Sequence, residues 1–378
     1  AELELSYLET KYKNSGKKYV VALDFSCLLH TTVTCVRTHS GTDLKNKFGV
    51  NITWLVGICQ KLTNLLSHYM NIIVVFDGKS SHMKDKEKDK RKEIKNNKLA
   101  EIELIEDKNS EEFKKKYAQT YSPTEEEFDL AKQLMHLLGI PYIQAVAEAD
   151  PVCAWLNKNN YVDAVISEDS DMLALGAKIM FTNSTRFIKD EKVFVYNLAK
   201  TLNNWGMSHE EFIAFCVLCG TDYNKNLPGI GPAIACKKIK EVGSLNKFLK
   251  RYIDEHDITD EIESIIEDIK KSYDYFINYD KTDEFVQFKK NIKKYDLKMK
   301  RMNVKGLENF LFVHNNLDQD NTYIYKFMCE LWSLNEKFQF PPNDYQYEFT
   351  KDDNIVIKTK DYFKYKTSRE LLLESFED

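Results

Sequence analysis

Three apolar runs, each followed closely by an aspartate, constrain the fold of this chain more than any other feature of its sequence. The runs are Tyr19–Leu23 before Asp24, Asn71–Phe76 before Asp77, and Val162–Ile166 a few residues before Asp169. Short runs without polar alternation are typical of strands that are buried on both faces. Helical periodicity between the runs, as at Thr53–Tyr69, predicts crossover helices. The expected fold is therefore α/β, with a central, mostly parallel sheet whose carboxyl edge is acidic.

Two acidic pairs with i, i+2 spacing, Glu148/Asp150 and Asp169/Asp171, flank the third run. Ligands of open parallel sheets bind outside the carboxyl ends of the strands, so both pairs are expected in one crevice. Carboxylates that converge there repel one another unless cations neutralise them, and Mg²⁺ prefers oxygen ligands. Asp150 also precedes Pro151, which is typical of a helix N-cap, whereas Glu148 would lie outside that helix.

The composition limits the classes of protein to which the chain can belong. With 378 residues and 43% hydrophobic content, the chain can bury a large core as one elaborated domain or two. A net charge of −5 does not indicate a nucleic-acid binder, so any basic surface must be local. We expect no membrane span and no secretory signal, and we interpret Cys216 and Cys219 as core thiols of a reducing compartment rather than zinc ligands.

A basic segment follows the second strand. Lys79–Lys98 holds nine Lys and Arg residues against four Asp and Glu residues. Charge alone is equally typical of a solvated helical excursion. The alternative is a basic helix that faces phosphate beside the acidic crevice, because an acidic pocket alone would repel a polyanion. Lys84 and Arg91 are two helical turns apart and share one face, from which they could stabilise charge on a scissile phosphate.

A glycine-rich turn precedes a helix in the second half of the chain. Gly229 and Gly231 stand before Pro232, and Lys237 and Lys238 follow within the helix. Such a turn exposes backbone N–H groups where a phosphate can bind, which indicates a helix–hairpin–helix clamp. A plain glycine turn is the alternative. Elsewhere the pattern predicts helices at 123–138, at 209–218 and across most of 244–335, a hairpin at 183–195, and a strand at 354–359 in the tail.

Seven acids stand out at the ends of these elements: Asp24, Asp77, Glu148, Asp150, Asp169, Asp171 and Asp222. A carboxylate-rich site without His or Cys partners disfavours zinc and nucleophilic serine or cysteine catalysis. It suits two Mg²⁺ ions, or Mn²⁺ in their place, about 4 Å apart at a phosphodiester.

The order of the blocks ALDFS, VVFDGK, GIPYIQAVAEAD, SEDSD, GTDY and GIG resembles the flap endonuclease family of structure-specific 5′ nucleases. The resemblance covers roughly residues 17–245, and less distinctly continues to about 335. It implies a PIN-like nuclease core at 1–335, with a helical arch at about 79–128, a helix–two-turn–helix element at about 210–245, and a tail at 336–378 of unknown role. It also implies that the seven acids hold the metals, that Lys84 and Arg91 are the catalytic basic pair, and that the hairpin holds duplex DNA through K⁺.

Three departures from the family pattern stand out. The family begins with Met-Gly, whereas this chain begins with Ala1; truncation, tagging and divergence are the alternative explanations, and the positioning of the substrate by this segment stays open. His30 stands where the family has a tyrosine that stacks on a base, and imidazole can stack as well. A packed core histidine is the alternative. The sequence contains no clear sliding-clamp peptide, since Glu370–Phe376 is only distantly similar to one.

The favoured function is metal-dependent hydrolysis of DNA at 5′ flaps or single-strand/duplex junctions, with 5′→3′ exonuclease activity. A dedicated exonuclease, a junction nuclease, a PIN-type ribonuclease and a non-catalytic junction binder are the alternatives. We expect a monomer in the nucleus or another site of DNA replication, including a viral one, in the service of replication, repair or recombination.

Overall fold

A computed structural model of the chain describes residues 2–4, 6–78, 85–182, 192–315, 327, 345–349 and 355–359. Its main sheet has seven strands in the order β1-β7-β6-β5-β2-β3-β4. The strands are β1 Glu2–Glu4, β2 Tyr19–Asp24, β3 Met70–Phe76, β4 Tyr142–Gln144, β5 Ala164–Ile166, β6 Ile179–Thr182 and β7 Lys192–Asn197. All neighbours pair in parallel except those of β7, which is antiparallel to both β1 and β6. The predicted mostly parallel sheet is confirmed.

Helices connect and cover these strands. They are α1 Ser6–Ser15, α2 Phe25–Ser40, α3 Thr53–Ser67, α4 Asp85–Glu103, α5 Glu111–Ala118, α6 Glu125–Leu138, α7 Ala149–Lys158, α8 Asp171–Ala174, α9 Leu198–Trp205, α10 His209–Cys219, α11 Pro232–Val242, α12 Leu245–Glu255, α13 Asp260–Asn278, α14 Asp283–Asn291 and α15 Val304–Glu308. Tyr279–Lys281 and Ile292–Lys294 are 3₁₀ turns, and Asn309–His314 is a π-helical turn. Within the described segments, no helix is both long and apolar enough to cross a membrane.

The sheet is buried on both faces because successive side chains of a strand point to opposite sides. Val21 and Leu23 pack into the layer formed by α2, α3, α6 and α15. Ala22 packs into the opposite layer, which includes α7, α10 and α13. Cys216 and Cys219, on α10, are partly buried against that second layer, as expected for core thiols.

The segment after β3 leaves the sheet and returns to it through α4, α5 and α6. The helix predicted within Lys79–Lys98 is present from Asp85 onward. Its return is fixed by a group of four residues, Arg37, Asp43, Tyr117 and Tyr121, which we call the arginine cluster. Arg37 of α2 forms an ion pair with Asp43 (Nε–Oδ1 2.6 Å) and lies over the Tyr117 ring of α5.

Other sequence predictions are confirmed with modest changes. Strands β6 and β7 flank the predicted hairpin at 183–195, although residues 183–191 lie outside the described part of the chain. The predicted tail strand pairs antiparallel, as β9 Ile355–Thr359, with β8 Tyr345–Phe349. Strand β1 was not predicted, since residues 1–18 were expected to hold only a helix and a turn. Three residues at a sheet edge carry too little pattern to be recognised.

Candidate active site

Asp24 lies where the central strand β2 becomes helix α2. Its carboxylate caps the helix and accepts hydrogen bonds from the backbone N–H groups of Ser26 (2.8 Å) and Cys27 (3.3 Å). Aspartate is a favoured N-cap because its oxygen satisfies amide groups that the helix leaves without partners. The same residue is 7% exposed, so its charge is held at the buried carboxyl edge of the sheet.

Asp77 follows the neighbouring strand β3 and connects three elements. It accepts hydrogen bonds from the Ser26 hydroxyl of α2 and from the backbone N–H of Ala149 at the start of α7 (2.7 Å). Gly78 is required beside it, because a Cβ at that position would overlap the backbone oxygens of Ala145 and Val146. The close approach of these two chain segments therefore fixes Asp77 next to the turn that carries Glu148.

Glu148, not Asp150, occupies the N-cap of α7, so the capping role predicted for Asp150 is wrong. Asp150 lies within the first helical turn, ahead of Pro151, where proline is tolerated because its N–H would have no helical partner. The Glu148 side chain makes no capping hydrogen bond to the helix. Instead it is 9% exposed and its Oε2 accepts a hydrogen bond from the Tyr223 hydroxyl (2.7 Å).

The second acidic pair follows β5 in a tight turn. The Ser167 hydroxyl accepts a hydrogen bond from the Asp169 N–H (3.0 Å), and Asp169 Oδ1 accepts one from the Asp171 N–H (2.8 Å). Asp171 opens the short helix α8. Asp222 lies in a turn after α10 that is closed by hydrogen bonds between Thr221 and Asn224. That turn also carries Tyr223, so it lies beside Glu148.

The electrostatics show that the acidic residues crowd one another. Burial and the charge of Asp77 raise the pKa of Asp24 to about 7, although hydrogen bonds from the backbone and the nearby Asp150 carboxyl oppose the rise. Burial and the charges of Asp24 and Asp150 raise the pKa of Cys27 to about 12. Among the described residues, the groups that shift the pKa of Asp24 include no cation, and a bound metal ion would relieve this condition.

The donor chemistry of this group fits a hard divalent cation. Carboxylate oxygens dominate, one oxygen each of Glu148 and Asp150 is buried from solvent, and Cys27 is held as a neutral thiol. Among the residues that the structure describes, no three acidic, histidine or cysteine side chains converge closely enough to ligate one ion as they stand. The acids thus surround the strand ends without sharing one point, as mutually repelling groups should.

The structure describes the predicted basic residues and the predicted stacking residue to different extents. Lys84 lies outside the described residues, and Arg91 lies in α4 with its side chain outside them. His30 is exposed on α2, and its ring centre lies 6.2 Å from that of Tyr121. The alternative of a packed core histidine is therefore wrong.

The predicted hairpin is an open glycine turn that precedes a helix. Gly229 has φ +74°, a left-handed conformation that favours glycine, and Gly231 is the N-cap of α11 with Pro232 after it. Nothing lies within 4 Å of a Cβ built at either glycine, so the turn is open. Lys237 is exposed on α11 beside the half-buried Lys238.

Two residues that the sequence did not single out complete the site. Ser26 connects Asp77 to the start of α2, and Tyr223 holds Glu148. Both belong to blocks that were recognised only for their acids, ALDFS and GTDY. The sequence signal that could have identified them was their position, since Ser26 lies two residues after Asp24 and Tyr223 directly follows Asp222.

The similarity of this chain to known proteins agrees with the geometry of the site. Residues 9–98 match the XPG N-terminal domain and residues 139–222 the XPG I-region. Flap endonuclease 1 of Entamoeba dispar is 32% identical over 305 residues, which is 80% of this chain and 77% of that protein. The chain belongs to the flap endonuclease family.

Solved structures of family members share the fold. Flap endonuclease-1 from Methanococcus jannaschii has a TM-score of 0.62 at 25% identity, over 90% of this chain and 98% of that one. The Holliday junction-resolving enzyme GEN1, in complex with product DNA and a Mg²⁺ ion, has a TM-score of 0.57 at 15% identity, over 88% and 75%. The second likeness shows the fold alone. Both structures share the sheet and its covering helices with this chain.

Proposed function

We propose that this chain is a structure-specific 5′ nuclease that hydrolyses DNA at 5′ flaps and single-strand/duplex junctions with the aid of divalent metal ions. The observation that carries the proposal is the buried acidic group at the carboxyl edge of the sheet, where Asp24 has its pKa raised to about 7 by burial and by Asp77. Membership of the flap endonuclease family supplies the reaction class. A hydrolase of DNA phosphodiester bonds follows from both.

The metal ligands are proposed to be the seven acids Asp24, Asp77, Glu148, Asp150, Asp169, Asp171 and Asp222. GEN1, which shares the fold, was solved with Mg²⁺, which supports the use of a divalent ion. Two Mg²⁺ ions, replaceable by Mn²⁺, are the finer proposal, and K⁺ is proposed at the Gly229–Gly231 hairpin. The chemistry that divalent ions supply at such sites is activation of the attacking water and stabilisation of charge on the phosphodiester.

The protein's own side chains orient these acids. Ser26 and the Ala149 N–H hold both oxygens of Asp77, and Tyr223 holds Glu148. Hydrogen bonds of this kind orient the carboxylates before substrate binds, and a bound ion would draw them together. Lys84 and Arg91 are proposed to contact the scissile phosphate from the basic segment that includes α4, and His30 to stack on a base beside the cut.

The hairpin and α11 are proposed to bind the unbroken duplex. Open N–H groups at Gly229 and Gly231, together with Lys237 and Lys238, can contact phosphates without reading sequence. Selection of a junction then follows from geometry, because the acidic edge and the hairpin must engage the same DNA. We propose that the chain acts as a monomer, and that it works in a reducing compartment, which the thiols of the seven described cysteines support.

The test uses a labelled 5′ flap and a labelled recessed 5′ end, each with Mg²⁺ and with EDTA. We expect cleavage of both substrates, with the flap preferred and no cleavage in EDTA. Asp171→Asn should abolish cleavage and leave flap binding largely intact. The matched control is Asp129→Asn, since Asp129 is an exposed acid on α6 that pairs with Lys132. Release of single nucleotides only, with the flap untouched, would instead identify a dedicated exonuclease.

A further inference from the structure

Tyr223 is the one tyrosine whose hydroxyl the described contacts place on a proposed metal ligand. Its O–H donates to Glu148 Oε2 at 2.7 Å, from the turn that follows α10. Glu148 is 9% exposed, so this hydrogen bond is shielded from water. Hydrogen bonds to a buried charged group are stronger than those between neutral groups.

The Tyr223 ring is itself held by α13. Its centre lies 4.8 Å from that of Tyr275, and the Phe276 ring packs edge-on at 5.7 Å. The Tyr223 hydroxyl also hydrogen-bonds to Tyr275. Because an ionised carboxylate only accepts hydrogen bonds, the hydroxyl is the donor in its contact with Glu148. A fixed donor on a packed ring has little freedom to leave Glu148.

We propose that the Tyr223 hydroxyl, braced by Tyr275, is a positioning group that orients Glu148 toward a divalent cation. This inference rests on the proposed function, because it assumes that Glu148 is a metal ligand. Tyr223 fixes the orientation of the carboxylate group through Oε2, and Oε1 of the same group is buried from solvent. Outer groups that orient a metal ligand commonly change metal affinity when they are removed.

The position of Tyr223 also connects the metal site to the duplex-binding element. The turn that carries it is followed by the buried Leu227 and by Ile230, the buried middle residue of the Gly229–Gly231 hairpin. Helices α10 and α13 pack against each other, and Tyr275 belongs to α13. Tyr223 therefore lies close in sequence to the proposed duplex-binding hairpin.

The test measures Mn²⁺ binding to the full chain by electron paramagnetic resonance, without DNA. Tyr223→Phe removes only the hydroxyl and keeps the ring packing, and it should raise the Mn²⁺ dissociation constant about tenfold or more. Tyr275→Phe removes only the hydroxyl that hydrogen-bonds to Tyr223, so it should raise the dissociation constant less, about threefold. Tyr273→Phe is the matched control on the same helix and should leave the constant unchanged, since Tyr273 is half-buried near Glu210 rather than Glu148.

Cleavage assays then separate positioning from simple destabilisation. The Mg²⁺ concentration for half-maximal cleavage should rise in Tyr223→Phe, while the rate at saturating Mg²⁺ stays within about twofold. In a Glu148→Gln background, Tyr223→Phe should have no further effect on Mn²⁺ binding. Unchanged Mn²⁺ binding in Tyr223→Phe, or an equal loss in Tyr273→Phe, overturns the inference. Failure of the wild-type chain to cut DNA while it binds Mn²⁺ would instead overturn the proposed function.

Discussion

Two buried polar clusters in this protein use similar residue types but balance their charges in opposite ways. In the arginine cluster, Arg37 meets Asp43 through two contacts, at 2.6 Å and 2.9 Å, and lies over the rings of Tyr117 and Tyr121. At the acidic edge, Asp24 faces Asp77 and Asp150, and its described partners are neutral or negative.

The difference distinguishes a structural cluster from a functional one. The arginine cluster satisfies its charges internally and fixes α5 and the loop after α2 against α2 itself. The acidic edge is held in place by neutral donors, so its negative charge remains for a ligand to neutralise. Perturbed groups of this kind concentrate at functional sites. Removing a charge should therefore have opposite consequences for stability in the two clusters.

The largest expected effect is on catalysis at the acidic edge. Asp24→Asn should lower the cleavage rate by roughly a thousandfold or more, since metal-based stabilisation of the transition state amounts to several kcal/mol. In the absence of metal, the same variant should be more stable than wild type, because it removes a buried repelling charge. Flap cleavage and urea unfolding in EDTA measure the two effects. A variant that cuts at the wild-type rate would remove Asp24 from the site.

In the arginine cluster, removal of a charge should instead destabilise the protein. Arg37→Met should lower the free energy of unfolding by roughly 3–5 kcal/mol, because it leaves the largely buried Asp43 without its cation. Adding Asp43→Asn should restore part of that loss, since both charges are then gone. Urea denaturation of the two single variants and the double variant gives the coupling energy. Additive losses would mean that the pair is not the source of the stability.

The pH dependence of stability should follow Asp24. Because its pKa is raised to about 7 in the folded state, the folded protein retains a proton that the unfolded chain releases near pH 4. The metal-free protein should therefore gain stability as the pH falls from 7 to 5.5, by up to about 1.4 kcal/mol per pH unit from this group. Unfolding in EDTA at several pH values measures the slope. Asp24→Asn should lack this dependence of stability on pH. An identical slope in the variant would contradict the assignment of the raised pKa to Asp24.

The smallest expected effect concerns the neutral member of the arginine cluster. Tyr117→Phe removes the hydroxyl that donates to Asp43 (2.9 Å) and keeps the ring beneath Arg37, so we expect a loss of about 1 kcal/mol. Tyr161→Phe is the control, because Tyr161 is 41% exposed and stacks on Trp155. Thermal unfolding of both variants compares them. Equal midpoints would show that Arg37 alone satisfies Asp43.

Much of the fold could be predicted because its signals are local. The apolar runs before Asp24 and Asp77 had the length and composition of buried strands, and both became parallel neighbours in the sheet. The order of the other strands depends on packing between distant segments, which no single window of sequence contains. The start of α7 was misplaced by two residues because Asp150-Pro151 has the local signature of a cap, whereas contacts made by Asp77 place the cap at Glu148.

The acids of the site could be predicted, but the groups that orient them could not. Tyr223 reaches Glu148 across 75 residues of sequence, and the ion pair of Arg37 with Asp43 is completed by Tyr117 from another helix. No sequence pattern around a tyrosine or a serine identifies the carboxylate to which its hydroxyl will donate a hydrogen bond. Only the folded chain shows which donor meets which carboxylate.

The close approach at Gly78 has a consequence for how this molecule can change. The Gly78 N–H donates to the Ala147 oxygen (2.5 Å) and the Ala145 N–H to the Phe76 oxygen (2.9 Å). The segment that leaves the sheet after Gly78 therefore returns to it directly beside the residues from which it left. The free energy needed to close a loop grows only slowly with its length. Insertions or deletions between Gly78 and α6 can therefore accumulate without moving Asp77 relative to Glu148. The length of the segment between Gly78 and α6 is thereby independent of the spacing between the acidic residues on either side of it.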